Sequence, residues 1–124
     1  MTKIHLDNES ELYRAKSELF NDNKDESWLL LNYVGPKEIH FAASGEHVDQ
    51  APSYLEKDKV QYLLTRINKR NYLINTIGDD VGLIEKGKKH FHKSEVEEFL
   101  KPYEISYTET DFAKINKNDI PRFH

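Results

Sequence analysis

The stretch VQYLLTRINKRNYLINTIG, residues 60–78, predicts two adjacent strands of a β-sheet. Its two apolar runs, Val60–Ile67 and Tyr72–Ile77, have the length and the β-branched and aromatic content typical of strands. The polar residues Asn68-Lys69-Arg70-Asn71 between them predict a hairpin tip. We therefore expect this segment to form the middle of the fold.

The strands on either side extend this sheet. Trp28–Val34 is a short apolar run without strict alternation, which is typical of a strand covered on both faces. Gly35-Pro36-Lys37 predicts a turn, and Ile39–Ala43 predicts the returning strand of a second hairpin. In 103–107, apolar and polar residues alternate, which predicts a half-buried strand.

Helices are predicted between these strands. Helical spacing predicts a helix over about 9–20 and another over 48–55, where Pro52 is tolerated only near the first turn. Capping signatures predict three helix starts, and the elements follow the order α-β-β-α-β-β-α-β-α. The signatures are Asn8-Glu9-Ser10-Glu11, Ser94-Glu95-Val96-Glu97 and Thr108–Asp111.

Composition predicts one folded domain over 1–124, with a core of about 8–117. Seven Tyr, six Phe and one Trp are too many large apolar groups for a disordered chain. The absence of cysteine excludes disulfides and thiolate metal sites. No apolar run has the length of a signal peptide or a membrane span, so we expect a soluble protein of the cytoplasm.

The net charge of −4 argues against nucleic acid as a partner and requires a local basic patch for any anionic partner. Two places supply such charge: the segment Glu85–Lys93, with four lysines against one acid, and the hairpin tip. A run of lysines is also common on a simple solvated surface, and that alternative stays open here. The candidate binding residues are Lys69, Arg70, Lys86, Lys88, Lys89 and Lys93.

Catalysis and metal binding are not predicted. The chain has no nucleophile motif and no glycine-rich phosphate loop, and Asp79-Asp80 is better explained as a helix N-terminus. His90 and His92 lack a Cys or a carboxylate pair that would complete a metal site. Their partial protonation instead predicts that binding to an acidic partner strengthens as the pH falls from about 7.5 to 6.5.

Several segments resemble the actin-depolymerising-factor homology (ADF-H, cofilin-like) family. Trp28-Leu29-Leu30-Leu31-Asn32-Tyr33 resembles its first strand and Tyr62–Ile67 its third. Tyr72–Val81 resembles the fourth strand and its exit, most closely in the coactosin branch, although Thr76 replaces an aromatic residue there. The basic 86–89 stretch and the Val96–Phe99 segment lie where that family has a connection and a long helix.

The resemblance implies an α/β (α+β) fold with a central mixed β-sheet sandwiched by helices. It also implies a non-catalytic protein without a cofactor, located in the cytoplasm and cytoskeleton, with filamentous actin, or possibly actin monomer, as its partner. In the family, the loop before the fourth strand and the start of the long helix contact actin. The resemblance therefore implies that Lys69, Arg70, Lys88 and Lys89 contact actin. The first serine, Ser10, falls at a predicted helix cap, which favours filament binding without strong severing.

Two alternatives belong to the same fold. In the first, the same lysines bind anionic phosphoinositide headgroups. In the second, the chain is an adaptor like the glia-maturation-factor branch and acts on the actin-nucleating complex. An enzyme is not indicated by any residue pattern.

Overall fold

A computed structural model describes residues 5–21, 23–90 and 92–123, with side chains except at positions 90 and 123. A six-stranded mixed sheet forms its centre. The strands are β1 His5–Leu6, β2 Glu26–Gly35, β3 Glu38–Gly45, β4 Val60–Ile67, β5 Arg70–Ile77 and β6 Ile105–Glu109. Their order across the sheet is β1-β3-β2-β4-β5-β6; β1 is parallel to β3 and β6 is parallel to β5, while the other neighbours are antiparallel.

Helices cover both faces of the sheet. The α-helices are α1 Glu9–Leu19, α2 Leu83–His90, α3 Lys93–Leu100 and α4 Asp119–Phe123, and two 3₁₀ helices span Val48–Tyr54 and Phe112–Lys114. One core joins α1 and α3 to the sheet through Leu12, Leu31, Leu64 and Val96. The opposite core joins the first 3₁₀ helix and the C-terminal elements to the sheet through residues that include Trp28, Val48, Ile74, Ile115 and Ile120. The prediction of a mixed sheet sandwiched by helices is confirmed.

The β4–β5 hairpin has the predicted place at the centre of the sheet. Its register runs from Val60 opposite Ile77 at one end to Ile67 opposite Arg70 at the other. Asn68 and Lys69 form the turn in the left-handed region, with φ angles of 51° and 66°. Seven residue steps along β4 separate the two ends by about 23 Å.

One of the predicted helix caps, Asn8, has the expected position but not the expected hydrogen bond, and another, Ser94, is wrong. Asn8 is the N-cap of α1, but its φ is 42° and its side chain makes no cap hydrogen bond. Its Oδ1 instead accepts from the backbone N–H of Phe41, at 3.0 Å, so a tertiary contact takes the capping group. Ser10 accordingly lies inside α1, and Ser94 lies inside α3, where His92 is the N-cap.

In the third capping signature, Thr108–Asp111, the residue that caps is the last one, Asp111. The Asp111 carboxylate accepts from the backbone N–H of Ala113, at 3.0 Å, and begins the second 3₁₀ helix at Phe112. Asp79-Asp80, by contrast, lies in an exposed turn, and α2 begins only at Leu83.

Ordered elements reach beyond 8–117 at both ends. β1 adds a short parallel strand to the edge of the sheet, and its Leu6 is buried. At the other end α4 places Ile120 in the core, with only 1% of its surface exposed. Both segments contribute apolar surface to the packed interior.

Candidate functional site

The basic segment folds as helix α2, which crosses the end of the sheet where β4 begins and β5 ends. Two clefts flank it. A cleft of about 610 Å³, here called the tyrosine cleft, lies between α2, the β2–β3 turn and residues 58–60, and Tyr33 lines it. A second cleft, of about 390 Å³, lies on the other side and is lined by Lys86, Asn75 and Thr108.

Lys89 is the only buried residue among the described side chains of α2, with 8% of its surface exposed. Its Nζ lies 3.0 Å from Oε1 of Glu85 and 3.4 Å from the carbonyl oxygen of Pro36. The ammonium also lies 4.1 Å from the centre of the Tyr33 ring, within the range of a cation–π interaction. The structure therefore corrects the expectation that Lys89 is available to a partner, since its charge holds α2 against the sheet.

The opposite side of α2 is exposed and apolar at its centre. With 3.6 residues per turn, Leu83, Ile84 and Gly87 point away from Glu85 and Lys89. Leu83 is 85% exposed and Ile84 is 77% exposed, which is unusual for large apolar side chains on neighbouring positions. We call Leu83, Ile84, Lys86, Gly87 and Lys88 the outer face of α2.

Charge flanks this apolar centre on both sides. Lys86 and Lys88 are two positions apart and project to opposite flanks of the helix. Lys88 is exposed and Lys86 is partly exposed. The sequence prediction missed Leu83 and Ile84, although two apolar residues beside a lysine-rich run were the available signal.

Lys93 and His92 lie away from the outer face. Lys93 is the first residue of α3, is partly buried and lines a small crevice with Asn75 and Ser106. His92 is 5% exposed, and its burial, then the charges of Lys89 and Lys37, lower its pKa below the ordinary value of 6.5 against the opposing effect of Glu95.

The lowered pKa changes the predicted pH dependence of binding. His92 gains little charge between pH 7.5 and 6.5 because protonation of the buried ring is unfavourable. The expectation of stronger binding at lower pH then depends on His90, whose side chain lies outside the described part of the structure.

Lys69 and Arg70 are exposed at the hairpin tip, at the opposite end of the sheet from α2. The guanidinium of Arg70 lies 5.8 Å from the centre of the Tyr72 ring, which orients it along the strand. The length of β4 places this tip about 23 Å from α2. The structure thus divides the predicted basic residues between two separate regions, because the hairpin carries the tip away from the helix.

A pair of tyrosines forms the floor below Lys89. The hydroxyl oxygens of Tyr33 and Tyr62 are 2.8 Å apart and share a hydrogen bond. Burial, as the largest cause, raises the pKa of both, that of Tyr62 to about 12, so both phenols stay protonated at neutral pH. They therefore act as neutral hydrogen-bonding groups.

Within residues 5–21, 23–90 and 92–123, no three His, Asp or Glu side chains converge as ligands of a metal ion would. The same residues contain no helix with the length and apolar composition needed to cross a bilayer.

The fold and the sequence together identify the family. A family model for cofilin/tropomyosin-type actin-binding proteins matches residues 6–122. The chain belongs to this family, which confirms the resemblance found in its strands. A search of curated protein sequences finds no match.

Solved structures agree at the level of the fold. The human coactosin-like protein superposes with a TM-score of 0.81 and 14% identity, covering 97% of this chain and 96% of that one. Mouse coactosin, described as an actin filament binding protein, gives a TM-score of 0.76 and 18% identity, covering 99% and 90%. The cofilin homology domain of the yeast actin-binding protein ABP1P gives 0.77 and 18%, covering 96% of each chain.

Proposed function

We propose that this protein is a coactosin-like, non-catalytic actin-filament-binding protein of the cytoplasm and cytoskeleton, and that the outer face of α2 is its principal contact. Membership of the family supports actin as the partner. The observation that carries the choice of surface is the exposed pair Leu83 and Ile84, placed between Lys86 and Lys88 on a helix that projects from the end of the sheet.

This arrangement has the properties of a protein-binding surface. Affinity in protein interfaces comes mainly from a few apolar or aromatic anchors that lose water on binding, and Leu83 and Ile84 are suited to that role. Charges at the rim mainly accelerate association and fix orientation, which suits Lys86 and Lys88 against an acidic partner. Gly87 lies between them, and a Cβ added there would meet no atom within 4 Å, so the helix itself does not require a glycine. Its small size instead favours close approach of a partner.

The hairpin tip offers a second contact with the partner. Lys69 and Arg70 are exposed about 23 Å from α2, beyond the screening length of about 8 Å at physiological salt. The two regions therefore act as electrostatically separate contacts. We assign Lys69 and Arg70 to this second contact.

High-speed cosedimentation with actin filaments tests the proposal. We expect the protein to pellet with filaments and to do so less at higher salt, because rim charges contribute to binding. The double substitution Lys86→Glu/Lys88→Glu should weaken binding by at least about tenfold, since it replaces two attractions by two repulsions. Lys89 is left intact so that α2 keeps its position.

The matched control is Lys114→Glu/Lys117→Glu, which changes charge equally at exposed residues on the opposite face of the sheet, next to buried Ile115. Equal pelleting of the two folded double variants would contradict the assignment of the surface. Unchanged filament lengths under fluorescence microscopy are expected if severing is weak, and rapid fragmentation would contradict that part of the proposal.

A further inference from the structure

The loop between α1 and β2 lies directly against the hairpin tip. The backbone N–H of Lys69 donates to the carbonyl oxygen of Asp25 at 3.2 Å. Lys24, the preceding residue, is partly exposed and has no ion-pair partner among the described residues. Basic residues from two segments that are distant in the sequence are therefore gathered at this end of the sheet. They are Lys24, Lys69 and Arg70.

A buried arginine holds the loop in this position. Arg66 is only 5% exposed, although arginine is rarely buried unless its charge has partners. Its Nε donates to the carbonyl oxygen of Lys24 at 2.9 Å, across 42 positions of the chain. Its Nη1 donates to Oδ1 of Asn71 at 3.2 Å. Because Arg66 lies on β4 and Asn71 on β5, one guanidinium ties the loop to both strands of the hairpin.

The hydrogen-bond network continues to the start of β6. Asn71 donates its backbone N–H to Oε2 of Glu104 at 2.6 Å, and Glu104 donates its own backbone N–H to the carbonyl oxygen of Asn71 at 3.0 Å. Four segments of the chain are thus joined at one end of the sheet. Connected hydrogen bonds of this kind stabilise one arrangement of the groups that they join.

The chemistry of these bonds requires an arginine. The guanidinium is planar and directs its donors along fixed lines, so it can bond to two acceptors on different segments at once. The ammonium of a lysine is a compact charge without this fork. The role of Arg66 therefore depends on its geometry as well as on its charge.

We propose that Arg66 is a positioning residue for the second filament contact, and that its bond to the loop makes Lys24 a member of that contact. Charges that are ordered before binding lose less conformational freedom when the partner arrives, which favours affinity. This inference rests on the proposed function, because it names further residues of the same contact. Filament binding should then depend on an arginine that is itself buried.

Cosedimentation with actin filaments tests the assignment of Lys24. Lys24→Glu should raise the dissociation constant about threefold to fivefold, because it reverses one exposed charge of the contact. Lys114→Glu, at an exposed position on the opposite face of the sheet, should leave the dissociation constant unchanged. Equal binding by these two variants would overturn the inference.

A double-mutant cycle separates positioning from general stability. Its second background is the triple variant Lys24→Ala/Lys69→Ala/Arg70→Ala, which lacks the charges of the contact. Arg66→Gln should weaken filament binding about fivefold in the otherwise unchanged protein and less than about twofold in this background, where no charges are left to position. The same weakening in both backgrounds would show that Arg66 acts only through the fold, and would overturn the inference.

The conservative substitution Arg66→Lys separates geometry from charge. It keeps the charge and loses the fork, so it should still weaken binding about threefold. Binding equal to that of the unchanged protein would show that the charge alone matters, and would overturn the positioning role. If Arg66→Gln does not fold, Arg66→Lys replaces it in the cycle and in the measurement below.

Amide hydrogen exchange, followed by NMR without actin, tests the position of the loop. Arg66→Gln should speed the exchange of the Lys69 amide at least about tenfold, because the bond to Asp25 opens more often. The amide of Asp80, which bonds to the carbonyl oxygen of Lys57 at the other end of the sheet, should keep its rate. Equal acceleration of both amides would indicate a general loss of stability and overturn the inference.

The two proposals fail in different ways. If the unchanged protein does not pellet with filaments, the proposed function is overturned and the assignment of the contact falls with it. If the unchanged protein pellets and neither Lys24→Glu nor Arg66→Gln alters its dissociation constant, only the inference about Arg66 is overturned.

Discussion

At the scale of single residues, Lys89 decides which lysines are free to bind a partner. Its ammonium is held by a carboxylate, a backbone carbonyl and an aromatic ring, all close to the start of β4. Sequence reasoning could not find this because Pro36, one of the partners, is 53 positions away in the chain. Four lysines look equivalent in the sequence, but only contacts across the fold distinguish the buried one.

The first prediction concerns the stability that Lys89 contributes. Lys89→Ala removes the cation–π contact, the ion pair and the packing of the side-chain stem, and should lower the free energy of unfolding by about 1–2 kcal/mol. Urea denaturation followed by circular dichroism measures this. Lys88→Ala, at the neighbouring exposed position, should change stability by less than about 0.5 kcal/mol. Equal effects of the two substitutions would contradict the structural role of Lys89.

The second prediction concerns His92 and acid. Because its pKa in the folded state lies below the ordinary 6.5, the unfolded chain binds the proton more readily. The stabilising effect of the neutral ring is thus complete above about pH 6.5 and is lost as the pH falls toward the lowered pKa. Urea unfolding at pH 7.5 and 5.5 measures how much the free energy of unfolding falls on acidification. This decrease should be smaller for His92→Gln than for the unchanged protein.

The control for this measurement is His47→Gln, at an exposed position before the first 3₁₀ helix. This variant should show the same decrease in the free energy of unfolding on acidification as the unchanged protein. If the free energy of unfolding falls by the same amount on acidification with and without His92, the prediction is contradicted.

At the scale of elements, the strands were more predictable than the helices. The β4–β5 hairpin was found from two apolar runs around a polar tip, and only the start of β5 differed, at Arg70 rather than Tyr72. Helix α2 was not predicted, because its amphipathic pattern is inverted: its inward position is a lysine, and its leucine and isoleucine face solvent. The capping pattern placed the start of α1 correctly after Asn8, but it could not predict that strand β3 takes the hydrogen bond of the Asn8 side chain.

The connection between β5 and α2 sets the position of the site through Gly78. Gly78 donates its N–H to the carbonyl oxygen of Lys59 at 3.1 Å, and Asp80 donates to that of Lys57 at 2.8 Å. A Cβ built at Gly78 would overlap the backbone of Lys57, which has no flexible end to move aside. The glycine therefore permits the close approach that turns the chain toward α2.

The third prediction follows from this contact. Gly78→Ala should lower the free energy of unfolding by about 3 kcal/mol, near the upper end of the usual range for single substitutions, because the backbone must separate. Gly82→Ala is the matched control, since an added Cβ there meets no atom within 4 Å. Thermal unfolding compares the stability of the two variants. A Gly78→Ala variant as stable as Gly82→Ala would contradict the close approach of Gly78 to the backbone of Lys57.

At the scale of the whole molecule, an acidic protein presents separate basic regions at the two ends of one sheet. The sequence predicted both regions, since charge runs are local properties, and its resemblance to the ADF-H family implied the sandwich fold. It could not predict that the regions lie apart, because that depends on the direction in which the β4–β5 hairpin carries Lys69 and Arg70. The apolar centre of the outer face also appeared only when the exposure of Leu83 and Ile84 was known.

The fourth prediction tests the outer face of α2 as an apolar anchor for actin filaments. The dissociation constant from cosedimentation should rise at least about tenfold for Leu83→Ser/Ile84→Ser, because two desolvated anchors are lost while the fold, which does not bury them, is retained. Val34→Ser, which alters an exposed apolar residue outside this face, should bind like the unchanged protein. Undiminished pelleting of the folded double variant would contradict the central claim that this face binds the filament.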